Sequence, residues 1–196
     1  MAATLARTFE SLSVKNYRMF FTGQVVSWTG TWVQWVAQGW LVLELTQSGL
    51  GLGLVTAIQW LPILLLGAWA GVVADRVDKR KLLIFTNASS GVLSLFLGLL
   101  TVTGVVTLWM VIVVALLLGV VTALDNPARQ TFTMEMVGRS RRANAVSLNT
   151  ATFTTARVLG PAIAGVMIST VGIGACFLLN GISFVRVTLA LILMDR

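Results

Sequence analysis

Long apolar runs constrain this chain more than any other feature. They occupy 20–43, 50–73, 82–101, 107–124, 145–168 and 175–194; four contain no charged residue, and the last two contain one arginine each. A helix crossing about 30 Å of hydrocarbon needs about 20 mostly apolar residues. The bilayer interior cannot satisfy exposed backbone groups, so runs of this length are expected to be helices. Barrel strands would be about half as long and would alternate. The expected fold class is an all-α membrane protein with six transmembrane helices, forming one bundle over 20–194 behind an N-terminal segment, 1–19. Composition agrees: 57% of residues are hydrophobic and 11% charged, against about a quarter charged in soluble domains.

Short connections join spans one and two (Thr46-Gln47-Ser48-Gly49), three and four (around Gly104), and five and six (Gly172, Gly174). The other side receives 1–19, a short loop 75–81, a long charged loop 125–142 and the C-terminus, which together hold 12 of the 14 basic residues. By the positive-inside rule that basic side, and so the N-terminus, is expected to be cytoplasmic. A net charge of +7 would suggest nucleic acid in a soluble protein. Here topology accounts for it, so the expected partner is the lipid bilayer and not nucleic acid.

The sequence contains no histidine and one cysteine, Cys176, within an apolar run. Ser-His-Asp and Cys-His catalysis, His-ligated metals and haem therefore drop out, as do disulfides and thiolate clusters. No paired carboxylates suggest general acid–base chemistry, and no Gly-rich Lys-Ser/Thr loop suggests ATP. Neither an enzyme, nor a metal site, nor a cofactor is expected.

Polar groups inside the runs carry the functional signal. An arginine at the centre of a membrane helix costs about 2.5–3.5 kcal/mol on insertion scales. Arg186 is near enough to the end of span six to snorkel; Arg157, deeper in span five, needs a partner or a cavity. Span one carries Gln24, Ser27, Thr31, Gln34 and Gln38 at 3-4-3-4 spacing. Span five repeats that spacing with Ser147, Thr150, Thr154, Arg157 and Pro161, so each set shares one helix face. Ser and Thr bond readily across helices, whereas three glutamines on one face are harder to satisfy. Both stripes are expected to line a water-filled path. Trp28, Trp32 and Trp35 run beside the first, facing either lipid or a flat apolar substrate. Gly67 and Gly71 on span two, with Ala115, Gly119 and Ala123 on span four, read as close-packing seams.

Three stretches carry a resemblance. Gly71-Val72-Val73-Ala74-Asp75-Arg76-Val77-Asp78-Lys79-Arg80-Lys81 resembles the signature of the major facilitator superfamily between its second and third helices, with Asp78 where that signature has glycine. Asp75 would cap or pair at a helix end, while Arg76, Arg80 and Lys81 bond carbonyl ends and acids nearby, a cytoplasmic gating latch. Arg157, followed by Gly160-Pro161-Ala162-Ile163-Ala164-Gly165, looks like the antiporter motif of drug/proton exporters, with Ala156 and Ala164 replacing two glycines and Pro161 weakening the helix. The stretch Leu124-Asp125-Asn126-Pro127-Ala128-Arg129-Gln130 is similar to the enterobactin-exporter-like branch of that superfamily.

The resemblance implies the N-terminal half of a twelve-helix secondary transporter built from 3+3 inverted repeats, in a bacterial cytoplasmic (inner) membrane. It implies alternating access and proton-coupled efflux of a small molecule. The pathway would be formed by Gln24, Thr31, Gln34, Gln38, Thr150, Thr154 and Arg157. Asp125, expected to pair a basic residue, and Glu44 are the coupling candidates. A missing C-terminal half, or a second copy, would complete the transporter. The alternative is a non-transporting six-helix subunit or truncated gene product, which would show no flux in liposomes.

Overall fold

A computed structural model describes residues 10–194; Arg7 and Arg196, counted above on the basic side, lie outside the described residues. A 3-10 turn, Glu10–Ser13, precedes five long helices: α1 Lys15–Thr46, α2 Gly49–Arg76, α3 Lys79–Val102, α4 Leu108–Val171 and α5 Ile173–Leu193. Four of them, α2 to α5, are long and apolar enough to cross a membrane. At 32 residues, α1 falls outside that set on apolarity, not length, because its glutamines dilute the run.

Five long helices stand where six were expected, and the difference lies in one segment. The expected loop 125–142 is helical, and non-helical backbone within α4 is confined to Gly138 (φ 72°, ψ 172°). Gly138 divides α4 into a first arm, 108–137, and a second arm, 139–171. Glycine tolerates that positive φ where a side chain would be strained. An apolar run marks where hydrocarbon ends, not where a helix ends. Beyond Leu124 the chain stays amphipathic, with Ala128, Phe132 and Met136 packing beside Phe20. Pro161 and Pro127 both lie inside the helix without ending it.

The bundle is layered along its length. At the end away from the basic residues, Val33, Ala37 and Leu41 of α1 pack with Val55, Leu97, Val111 and Phe177. At the basic end Phe20, Leu83, Ala128, Val187 and Leu191 form a second apolar cluster. Between them, four helices contribute buried or half-buried polar side chains: Gln24 and Ser27, Asn87 and Ser90, Thr122 and Asp125, Asn180 and Ser183. This polar layer at mid-height frames the candidate site.

Helix pairing is mostly between non-neighbours: α3 on α5, α2 on α4, and α1 on both α4 and α5. Glycines allow the closest approach. A Cβ at Gly98 would meet Leu178, one at Gly181 would meet Leu95, and one at Gly174 would meet Val102. Gly174, expected in a turn, is thus helical and part of the α3–α5 seam. Gly119 packs against the Gln59 carbonyl and Pro62 of α2, as the span-four seam requires. Gly67 and Gly71, expected to pack closely, meet nothing within 4 Å. The α2 face that bears them is exposed on this chain, alongside Leu64 and Trp69.

The basic end is tied by polar contacts. Arg141 pairs with Glu10 at 3.3 Å, and the Asn144 side chain accepts from the Ser11 amide at 3.0 Å. Tyr17 donates to the Ala145 carbonyl and to Asn149. Burial pushes its phenol up to about 12, so it stays protonated there.

Candidate cavity of the bundle

The polar layer centres on Asp125, one turn before Arg129 on the first arm of α4. Their spacing places both on one helix face, and Arg129 Nε donates to Asp125 Oδ2 at 2.6 Å. Both side chains are mostly buried, 15% and 11% exposed, so the pair is little screened. Thr86 donates to Asp125 Oδ1 at 2.6 Å, Asn87 to the same oxygen at 3.4 Å, and Arg129 Nη2 to Asn87 Oδ1 at 3.3 Å. The Arg129 guanidinium also lies over the Phe20 ring, 5.8 Å from its centroid. The expectation that Asp125 pairs a basic residue therefore holds, through a residue four positions on.

Two adjoining cavities border this pair. One of about 260 Å³ at mid-height is lined by Ser27, Thr31, Trp32, Trp60, Ser90 and Asp125 among others. A larger one, about 470 Å³ and nearer the basic end, is lined by Thr133, Asn149 and Thr150 among others. Trp28, Asn126, Arg129 and Phe153 line both. Aromatic rings form a continuous wall: Trp28 and Trp32 each stand edge-on to Phe153, and Trp35 bridges Trp32 and Trp60. Trp28, Trp32 and Trp35 are thus half-buried cavity walls.

The stripe residues divide. Gln24, Gln34 and Gln38 are buried between helices. Asn180 donates to Gln34 at 2.6 Å, and Gln38 donates to Gln59 at 2.8 Å. Helix packing through hydrogen bonds, which looked hard for glutamine, is what two of the three do. Both polar atoms of the Gln24 side chain are buried without a partner. Thr31 lines the smaller cavity, its hydroxyl bonded to the Ser27 carbonyl at 2.9 Å.

On the second arm, Thr150, Thr154, Arg157 and Pro161 are exposed, and the packed face is Ala156, Gly160 and Ala164. Gly160 abuts Trp32, whereas Gly165 meets nothing within 4 Å. Among the described residues Arg157 has no carboxylate partner. Its guanidinium stands 5.7 Å from the Trp32 ring centroid. Glu44 is exposed at the far end and accepts from Trp40 at 3.1 Å. Arg186 is exposed on α5.

The loop motif departs from its expected roles at Asp75 and Arg76 and keeps them at Arg80. Asp75 and Arg76 are exposed, and the cap on α3 comes from Asp78, which accepts from the Lys81 amide at 3.1 Å. The departure from the glycine pattern is thus the capping residue itself. Arg80 donates to the carbonyls of Leu191 (2.7 Å), Ile192 (3.0 Å) and Met194 (2.6 Å). Those are the carbonyls a helix C-terminus leaves unpaired, where a cation is favoured.

Residues 6–196 match the family described as transmembrane secretion effector. The chain belongs to that family. Its relatives are transporters of the major facilitator type, and the chain is an integral membrane protein. It is 32% identical to the staphyloferrin A transporter of Staphylococcus aureus over 89% of this chain and 44% of that protein. It is 30% identical to the multidrug efflux pump Tap of Mycolicibacterium fortuitum over 73% of this chain and 36% of that protein. With macrolide efflux protein A of Streptococcus pyogenes the figures are 22%, 96% and 47%. This family member therefore spans less than half the length of these curated relatives. No solved structure matches it.

Sequence reasoning missed Arg129, Asn87 and Asn180. Arg129 had a signal, an acid four residues before it on a helix. Asn87 and Asn180 had none beyond being single amides in apolar runs.

Proposed function

We propose that this chain is the N-terminal half of a secondary transporter that exports a small molecule by alternating access, coupled to protons. The observation that carries the reading is the aromatic-walled cavity at mid-height, bordered by the buried Asp125–Arg129 pair and closed at the far end by the Val33–Phe177 cluster. Ionisable groups held between spans are the usual furniture of proton and substrate pathways.

In this reading the two arms of α4 are separate spans, four and five, with Gly138 at the turn between them. A helix of 64 residues would extend about 96 Å, three times the hydrocarbon thickness. The bundle then has the six spans of a 3+3 repeat, with the basic end and N-terminus cytoplasmic. The larger cavity lies nearer that end, where loading for export would occur, and two of the relatives are efflux proteins. The Arg80 contacts to the end of α5 would be the latch broken and remade in the cycle. Asp125 is the first coupling candidate and Glu44 the second. The branch that includes the enterobactin exporter is the finer assignment of this reading.

A C-terminal half, or a second copy, would cover the face formed by Thr150, Thr154 and Arg157 and the exposed, glycine-bearing side of α2. Polar groups and an arginine turned out from a membrane bundle require protein or water opposite them. The test uses everted vesicles from cells expressing the gene's whole reading frame. Asp125→Asn and Arg157→Ala should each lose gradient-driven efflux at unchanged protein level. Full efflux in both rejects their roles, and no flux by the parent protein favours a non-transporting subunit.

A further inference from the structure

The lining of the larger cavity narrows what it would hold. Trp28 and Phe153 form an apolar wall, and Asn126, Arg129, Thr133 and Asn149 supply polar groups. Among the described residues Arg129 is the only ionisable side chain lining it. Its partner Asp125 borders the smaller cavity instead, and the oxygens of that carboxylate are taken by Thr86, Asn87 and Arg129 Nε. The larger cavity thus has a cation and no acid.

Two donors on these lining residues are unsatisfied. Arg129 Nη1 is buried without a partner, and so is the hydroxyl of Thr133, four residues on along the same helix face. Leaving a charged donor buried and unpaired is strongly unfavourable, and no acceptor from the described residues reaches either atom. The space bordered by both residues is this cavity. A guanidinium fork suits carboxylate and phosphate oxygens, whereas a lipophilic cation would meet only the donors of Arg129, whose counter-charge Asp125 does not line this cavity. We propose that the cavity is an oxyanion site. Arg129, seconded by Thr133, receives a substrate's carboxylate or phosphate, and the substrate's flat apolar part lies against Trp28 and Phe153. This deepens, and rests on, the reading of the cavity as the substrate site.

The chain in nanodiscs is titrated calorimetrically with three probes sharing one ring system: 1-naphthoate, 1-naphthyl phosphate and 1-naphthylmethylamine. At least one anion should bind about ten-fold or more tightly than the amine, and the tighter anion distinguishes carboxylate from phosphate recognition. Arg129→Lys keeps the charge beside Asp125 but loses the fork, and should weaken the anion about ten-fold. Thr133→Val should weaken it about three-fold, and Arg186→Gln should leave it unchanged. Near-UV circular dichroism of the tryptophans checks folding, and the milder Thr133→Val keeps the test alive if Arg129→Lys does not fold. No binding by any probe, equal binding of amine and anions, or an anion preference unmoved in the folded variants overturns the assignment. Flux in liposomes separates the two readings. Anion preference without flux keeps the site and removes transport, and amine flux without anion preference does the reverse.

Discussion

Two helices carry polar residues at one spacing and use them in opposite ways. On α1, Gln24, Ser27, Gln34 and Gln38 turn into the bundle and are buried. On the second arm of α4, Thr154, Arg157 and Pro161 turn outward, Thr150 borders the larger cavity, and Ala156, Gly160 and Ala164 take the buried side. Periodicity says that residues share a face; it does not say what the face meets. That is decided by the competing face. Small residues on the second arm let its backbone close on Trp32. On α1 the opposite face offers bulky Val25, Val26 and Trp40, which stay exposed.

The comparison breaks most visibly at the charges. Asp125→Ala leaves the 11%-exposed Arg129 without its counter-charge, and removing one partner of a buried pair costs about 3–5 kcal/mol. Arg157→Ala removes an exposed side chain and should change folding stability by less than about 0.5 kcal/mol. Unfolding in detergent micelles, followed by tryptophan fluorescence, reads both. Similar losses in the two variants would erase the distinction between a buried and an outward polar face.

Next come the two glycines of the antiporter-like motif. A Cβ at Gly160 runs into Trp32, so Gly160→Ala is expected to cost about 1–3 kcal/mol through overpacking. Gly165 has open space around it, and Gly165→Ala should stabilise the helix by about 0.4–1 kcal/mol. Opposite signs in the same unfolding measurement would confirm that only one edge of the motif packs within this chain.

A buried amide pair is worth less. Asn180→Leu strands Gln34 Oε1, which accepts from Asn180 at 2.6 Å. Hydrogen bonds between membrane helices average about 0.6 kcal/mol and reach about 1.7, so the loss should fall in that range. Asn180→Asp, which removes the donor, should be no milder.

Much of the helix architecture was legible because hydrocarbon thickness imposes a length on apolar runs. Every run lies within a helix, apart from Thr107 and Met194 at the very ends of two of them. What escaped was continuity across 125–142, since amphipathic helix outside the apolar band leaves no hydropathy signal. The seam glycines were half legible: Gly119 packs and Gly67 does not, because the same spacing serves whichever neighbour is present. In the candidate site, Asp125 was legible as a lone acid near an apolar run. Its pairing with Asn87 needed α3 and α4 to be placed side by side, and no local pattern encodes that.

Thr154→Val is expected to have the smallest effect, less than about 0.5 kcal/mol on the stability of this chain. Thr154 is exposed and lies one turn from Arg157 on the outward stripe. Valine matches its shape and removes only the hydroxyl, so a loss of folding stability would mean that the hydroxyl already has a partner inside the chain. The informative contrast is the same substitution with a second half or second copy present. If the outward stripe meets protein there, the hydroxyl gains a cross-helix partner, and Thr154→Val should weaken association by about 0.6 kcal/mol while leaving the lone chain unmoved. An effect in neither setting would leave Thr154 facing water or lipid, and the outward stripe would then be held by Arg157 alone.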